Sequence, residues 1–360
     1  MPRRFPISLP LLPLIAASAV GCGGNLPSRP VFTPVFQEED CSFEAQGARC
    51  GFVEVPERHA RPEGAKIRLS VVHLRSTAAA PAPTPLLMLT GGAGASAISS
   101  FRELMMGPAG AAIRAQRDIV MYDQRGAGES TPSLRCPELD AMVEAHFGEA
   151  LSPAQTRALT AQALQQCHDR WVAPGVDLAA YNSVESAADV AAVMKALGFE
   201  RYDLYGLSYG TLLAQHVLRD FPQTVRTITL DSTPPVERNI LTSAPANADR
   251  ALRLLFSSCR ADPQCAAAYP DLEGTTLQLL QALDTSPVLI PSKHPTTGAQ
   301  VMWSLTGQEL LGKVLNAFNT STLPLLPLII SGMAGGDFSI LKDSLPVWSA
   351  SATLLHHRAG

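Results

Sequence analysis

Apolar positions recur along this chain with two different periods. Cys50 to Val55 and Lys66 to Arg75 alternate apolar and polar residues, which predicts two strands paired antiparallel. Leu86 to Thr90 is an unbroken apolar run, the pattern of a central parallel strand covered on both faces. Asp118 to Tyr122, Arg201 to Tyr205 and Val225 to Leu230 read as further buried strands. Helical spacing appears at 153 to 170, at 184 to 197 and at Thr211 to Leu218. Strand and helix alternate, which predicts a mostly parallel sheet with flanking helices and functional loops at the carboxyl ends of its strands. From Asp231 the pattern changes. Residues 235–345 read as helical and loop-rich with no strand series, a cap placed after a sheet strand.

Residues 1–21 carry Arg3 and Arg4 ahead of an apolar stretch from Phe5 to Val20, broken by Pro6, Pro10 and Pro13. This is the pattern of a secretory signal peptide, outside the fold. Ala19-Val20-Gly21-Cys22 resembles a bacterial lipobox, with Ala19 where leucine is usual. The expectation is an exported lipoprotein, lipidated on Cys22 and held at a membrane, periplasmic or cell-surface, through a tether at 22–40. An ordinary cleaved signal peptide is the alternative.

The 360 residues are 46% hydrophobic with mean hydropathy +0.10, enough for one large α/β core with a cap. Only 17% are charged, which argues against long disorder. The net charge is −4, with no basic run and no basic–aromatic interleaving, so nucleic acid is excluded as a partner. The richest later apolar run, Leu323 to Met333, is too short to span a bilayer and contains Pro324, Pro327 and Gly332. Besides Cys22 there are six cysteines, an even number that suggests disulfides in an exported chain. Proximity favours Cys41–Cys50, Cys136–Cys167 and Cys259–Cys265. None has zinc-site spacing with nearby histidines, so no metal is expected.

The densest chemistry lies at Gly206-Leu-Ser208-Tyr-Gly210, between a strand and a helix. Two glycines flank the serine because a tight turn leaves no room for a Cβ on either side. Such a turn lifts Ser208 Oγ above the sheet, and the next helix aims its N-terminus at the reaction centre. Thr90-Gly91-Gly92-Ala93-Gly94 falls at the same end of the sheet. The N–H groups of Gly92 and Tyr209 are the expected oxyanion donors. A third loop, Asp123-Gln-Arg-Gly-Ala-Gly-Glu-Ser130, ends a neighbouring strand.

Together these residues resemble the proline iminopeptidase and tripeptidyl aminopeptidase group of α/β-hydrolases. The group's H/N-G-G-P-G loop corresponds to Thr90–Gly94, with Thr and Ala at its first and fourth positions. Its D-Q-R-G-x-G-x-S loop is matched throughout by Asp123–Ser130, and its G-x-S-Y-G elbow by Gly206–Gly210. Cys259 to Asp271 looks like the cap of the tripeptidyl aminopeptidase branch. The resemblance runs from Cys41 to about Leu341. It implies an α/β-hydrolase fold with a helical cap and a Ser-Asp-His triad acting on peptides with a free N-terminus. Ser208 would be the nucleophile, and no cofactor is needed. Gly91, Gly94, Gly206 and Gly210 would shape the site. Asp123 and Arg125 are expected to form a buried pair that holds their loop near the oxyanion hole. An esterase or lipase on the same scaffold, and a non-catalytic binding lipoprotein, are the alternatives.

The pattern departs from the group after Ser208. Chain order in this fold is serine, acid, histidine. His216 reads as helix surface, His294 as part of a cap loop, and His356 and His357 follow no strand. Asp231 ends a strand and reads as a turn residue before Ser232-Thr-Pro-Pro. Neither the group's R-D-x-x-x-P acid loop nor its strand-borne histidine is present. The expectation is a C-terminally shortened member lacking the last strands and the triad acid and histidine. Its parts would be a signal peptide (1–21), tether (22–40), core (41–234), cap (235–345) and divergent tail (346–360).

Overall fold

Seven strands share one sheet in the computed structural model, which describes residues 32–41, 47–149, 151–237, 239–294, 298–318 and 322–339. They are β1 (Phe36–Glu39), β2 (Ala48–Pro56), β3 (Lys66–Leu74), β4 (Leu86–Leu89), β5 (Ile119–Tyr122), β6 (Tyr202–Leu207) and β7 (Val225–Asp231). Their spatial order is β1-β2-β3-β5-β4-β6-β7. β1, β2, β3 and β5 pair antiparallel in turn, and β5, β4, β6 and β7 run parallel. The chain divides into two units, Met1–Phe32 and Thr33–Gly360. Only Phe32 of the first is described, so every element here belongs to the second. The signal peptide at 1–21, Cys22, the tail at 346–360, His356 and His357 lie outside the described residues.

Parallel strands need helices over both faces, and the side chains show it. Met88, Ile119, Met121, Val72 and Leu74 join Phe101 and Met105 in one buried cluster. The alternate residues Leu87 of β4 and Val120 of β5, with Leu204 of β6, are equally buried. The flanking helices are α1 (Ala97–Met106), α2 (Pro108–Arg114), α3 (Pro137–Ala145), α4 (Pro153–Val172), α5 (Ser183–Ala196) and α6 (Tyr209–Asp220). α1 packs on β4 and β5, and α6 packs on α5, β4, β6 and β7. The starts of α1 and α5 are capped by side chains: Ser96 accepts from the Ser99 N–H, and Asn182 from the N–H groups of Val184 and Glu185.

Two expectations are corrected. Within the tether at 22–40, Phe36–Glu39 is a strand that pairs with β2. β2 would otherwise present an open edge, and a short acidic strand closes it while remaining a poor template for further pairing. Gly51 permits the approach, since a Cβ there would fall 2.0 Å from the Gln37 carbonyl oxygen. In the region 235–345, expected to hold helices and loops alone, β8 (Val288–Lys293) and β9 (Gln300–Leu305) form an antiparallel hairpin. Pro291 hides β8 from a strand reading, but proline is tolerated where a strand has only one partner.

The hairpin lies among α7 (Ile240–Ala261), α8 (Pro263–Ala268), α9 (Leu272–Thr285), α10 (Gly307–Ala317) and α11 (Leu326–Ala334). Ile290, Trp303 and Leu305 bury themselves with Leu283, Leu310 and Ile330, a core separate from that of the sheet. Disulfides join Cys41 to Cys50, Cys136 to Cys167 and Cys259 to Cys265, the pairing that proximity favours. They tie the end of β1 to β2, α3 to α4, and α7 to α8. No described helix is long and apolar enough to cross a membrane.

Candidate active site

The turn that ends β6 forces Ser208 to φ +50 and ψ −115. A side chain rarely adopts this backbone, and it persists only where the surroundings dictate it. Here they do. A Cβ on Gly210 would fall 2.1 Å from the Leu89 carbonyl oxygen, and one on Gly206 would fall 2.6 Å from that of Gly210. The strand ends and the helix start thus press together so closely that only glycine fits on either side. Ser208 is pinned at both backbone ends. Its N–H donates to the Asp231 carbonyl at 2.8 Å, and its carbonyl accepts from the Thr211 N–H at 2.9 Å and Thr211 Oγ1 at 2.6 Å. The side chain is exposed, and among the described residues Oγ makes no hydrogen bond.

The glycine loop after β4 lies against this serine. A Cβ on Gly91 would sit 2.8 Å from Ser208 Cβ and 3.5 Å from Oγ. Gly92 (φ +77) and Gly94 (φ +90) take left-handed backbone, and the Ala95 N–H closes the turn onto the Gly92 carbonyl at 3.0 Å. Tyr209 is the first residue of α6, so its N–H has no acceptor within the helix. Among the described residues the N–H groups of Gly92 and Tyr209 have no protein acceptor. Both expected oxyanion donors therefore keep their hydrogen-bonding capacity, and the α6 dipole adds positive potential at Tyr209. The Tyr209 hydroxyl lies 2.9 Å from Ser183 Oγ at the start of α5, which anchors its side chain there.

Asp123 and Arg125 are both buried but do not pair with each other, contrary to the sequence expectation. Asp123 accepts from Ser96 Oγ (2.8 Å), the Ile98 N–H (3.1 Å) and the Glu129 N–H (2.9 Å). It thus folds its loop back on itself and onto the start of α1. Burial pushes its carboxyl above the usual range, against the pull of those donors. Gly128 (φ +52) makes the fold possible, since a Cβ there would fall 2.0 Å from Asp123 Oδ2. Arg125 reaches the other way. It grips Asp189 of α5 with Nε and Nη2, both at 2.7 Å, and donates to the carbonyls of Glu57 (2.6 Å) and Ala180 (2.8 Å). The guanidinium fork matches the buried Asp189 carboxylate, which needs a cation, while Asp123 finds neutral donors nearby. His59 Nε2 completes the Asp189 shell at 2.8 Å. Sequence reasoning missed Asp189; its one signal is a charge inside the apolar stripe of Ala187, Val190 and Val193.

The other titratable candidates are accounted for individually. The Asp231 carboxylate accepts from the Tyr205 hydroxyl at 2.8 Å and from Ser232 Oγ at 3.0 Å. His216 is half-buried on α6 rather than on its surface, and burial holds its imidazole below the usual value. His294 packs edge-on to Phe147 at 4.8 Å and lies 3.6 Å from a Glu144 oxygen, on the α3 side. The described residues hold one cluster with metal-ligand spacing, Cys136, Glu138 and Cys167, whose two sulfurs are joined as a disulfide.

A family profile described as alpha/beta hydrolase fold matches residues 84–281. Carboxylesterase B of Mycobacterium tuberculosis is 30% identical over 279 residues, which is 72% of this chain and 52% of that protein. Tripeptidyl aminopeptidase of Streptomyces coelicolor is 29% identical over 201 residues, 54% of this chain and 37% of that one. The crystal structure of proline iminopeptidase from Mycobacterium smegmatis is 20% identical, covers 61% of this chain and 60% of its own, and has a TM-score of 0.34. The chain spans about half the length, or less, of the curated relatives it matches. The profile match takes in the loops at Thr90–Gly94 and Asp123–Ser130 and the serine turn between β6 and α6, and the chain belongs to the α/β-hydrolase fold family.

Proposed function

We propose that this chain is a serine hydrolase that acts as an aminopeptidase, releasing residues or short peptides from a free N-terminus through an acyl-enzyme on Ser208. The observation that carries this reading is the exposed Ser208, held at φ +50 beside the unengaged N–H groups of Gly92 and Tyr209. Ser208 Oγ attacks the substrate carbonyl carbon while a general base removes its proton. The oxygen becomes negative and is received by the two N–H groups. Collapse expels the amine, which takes up the proton, and water then hydrolyses the ester. Among the described residues no histidine bonds Ser208 Oγ, so the base is sought by testing His356 and His357. The tripeptidyl aminopeptidase relative supports the peptidase reading. A carboxylesterase is the second reading, favoured by the longer alignment with carboxylesterase B.

A fluorophosphonate probe tests the nucleophile. The expected result is labelling of the folded chain that Ser208→Ala abolishes, and equal labelling of both proteins would overturn the assignment. Aminoacyl p-nitroanilides with free and acetylated N-termini, alongside p-nitrophenyl esters, then separate the readings. An aminopeptidase cleaves the free anilides and rejects the acetylated ones, whereas an esterase prefers the esters.

We also propose export, with a lipid on Cys22. The three disulfides support an oxidising compartment, where such bonds persist. Metabolic labelling with a radioactive fatty acid, lost in Cys22→Ala, is the expected result.

A further inference from the structure

At the amino ends of the parallel strands, opposite Ser208, two arginines converge on one carboxylate. Asp203, at the start of β6, is 2% exposed. Arg226 of β7 donates to it from Nε at 2.9 Å and from Nη2 at 2.5 Å, and Arg117, just before β5, donates from Nη1. Thr227 Oγ1 (2.6 Å) and Thr84 Oγ1 (3.3 Å) complete the set, so the carboxylate has no acceptor capacity to spare. Two guanidiniums around one carboxylate leave a net positive charge. Among the described residues, Arg117 Nη2 and Arg226 Nη1 have no acceptor. Both arginines line a depression of about 380 Å³ whose wall includes Leu86, Ile113, Leu204 and Thr229.

We propose that this depression is a second ligand site, which binds a small aliphatic carboxylate. Charge and shape point to this chemistry. A carboxylate accepts two parallel N–H donors from a guanidinium, and the residual charge favours an anion over a neutral or cationic molecule. Leu86 and Ile113, both half-buried, offer an apolar wall for a short chain, the usual division of labour in small-molecule pockets. The volume is at the small end of such sites. Ser208 lies five residue steps along the chain from Asp203, about 16 Å at the rise of a strand. The ligand therefore does not reach the serine, and the site is independent of the proposed hydrolysis.

The test is calorimetric titration of the Ser208→Ala chain with hexanoate, hexanol, hexylamine and acetate. Hexanoate is expected to bind saturably, and acetate more weakly for want of a chain. Hexanol and hexylamine are expected not to bind. Arg226→Gln should weaken hexanoate at least tenfold. Thr229→Glu places a competing carboxylate in the depression without touching the Asp203 network, and should abolish binding with the melting temperature retained. Should Arg226→Gln fail to fold, Thr229→Glu decides alone. Hexanoate binding no tighter than hexanol, or unchanged in folded Thr229→Glu, overturns the proposal.

Discussion

The Ser208 N–H donates to the Asp231 carbonyl at 2.8 Å, across the seam between β6 and β7. This bond continues the ladder one residue past the end of β6, and it holds Ser208 as the chain turns to φ +50. A residue with a Cβ in such backbone costs of order 1–3 kcal/mol. Ser208→Gly should relieve that cost, whereas Ser208→Ala keeps the Cβ and the strain. The Gly variant is expected to be more stable than the Ala variant by about 1 kcal/mol, after the entropy that glycine brings to the unfolded chain. Urea unfolding of the two checks it, and equal midpoints would mean that the strain at Ser208 is no larger than the entropy glycine adds to the unfolded chain.

Gly91 lies against the side chain of Ser208, the proposed nucleophile. Alanine there would place its Cβ 2.8 Å from Ser208 Cβ and 3.2 Å from the Leu207 carbonyl oxygen, so one of the two loops must shift. The expected effect is a loss of fluorophosphonate labelling of tenfold or more with the fold retained. Gly94→Ala is the control. No atom lies within 4 Å of a Cβ at Gly94, so only its φ of +90 opposes the change. Circular dichroism and labelling rates on both variants separate a local shift from unfolding.

Arg125 and Asp189 should be strongly coupled energetically, and Arg125 and Asp123 weakly. Removing one partner of a buried pair leaves an uncompensated charge, at a cost of about 3–5 kcal/mol. Double-mutant cycles with Arg125→Met, Asp189→Leu and Asp123→Asn measure both terms. A larger Asp123–Arg125 term would restore the pairing read from the sequence.

Stability should fall in acid through Asp203. Burial opposes its ionisation, but the hydrogen bonds of Arg226 and Thr227, with the charges of Arg226 and Arg117, outweigh burial and hold its carboxyl below the usual value. A depressed folded value means that the ionised group stabilises the fold above the unfolded value, near pH 4, and that this contribution disappears as pH falls through the folded value. The gap in unfolding free energy between the wild type and Asp203→Asn should therefore be full at pH 6 and narrow below about pH 4. A gap that stays constant down to pH 2 would show that the Asp203 charge does not matter.

Much of the sheet is legible in the sequence because its signals are local. Leu86 to Leu89 and Ile119 to Tyr122 are too apolar for any setting but a covered parallel strand, the strand before Ser208 is marked by the glycine turn that ends it, and α4 and α5 carry helical spacing. The glycine turns are legible for the same reason, since close approach excludes a Cβ. Partnership is not local. Nothing near Arg125 reveals that its carboxylate is Asp189, on a helix beyond the next two. β1 was invisible because Phe36-Gln-Glu-Glu has no strand pattern of its own and is ordered by the open edge of β2. The β8–β9 hairpin owes its strands to the buried cluster around Ile290 and Trp303.

The strand order has a kinetic consequence. β6, the strand before Ser208, pairs on one side with β4, through Leu89 and Gly206, and on the other with β7, through Leu207 and Asp231. Parallel pairings between strands so distant in sequence must close long loops before any contact rewards them, so they form slowly. The Gly91 loop cannot lie against Ser208 until the β4–β6 seam has closed, and the turn cannot hold its geometry until Asp231 arrives. The Ser208 turn reaches its final geometry only when the middle of the sheet is complete. During refolding, covalent capture at Ser208 should therefore lag behind the recovery of helical signal, and it would serve as a clock for the last step of assembly.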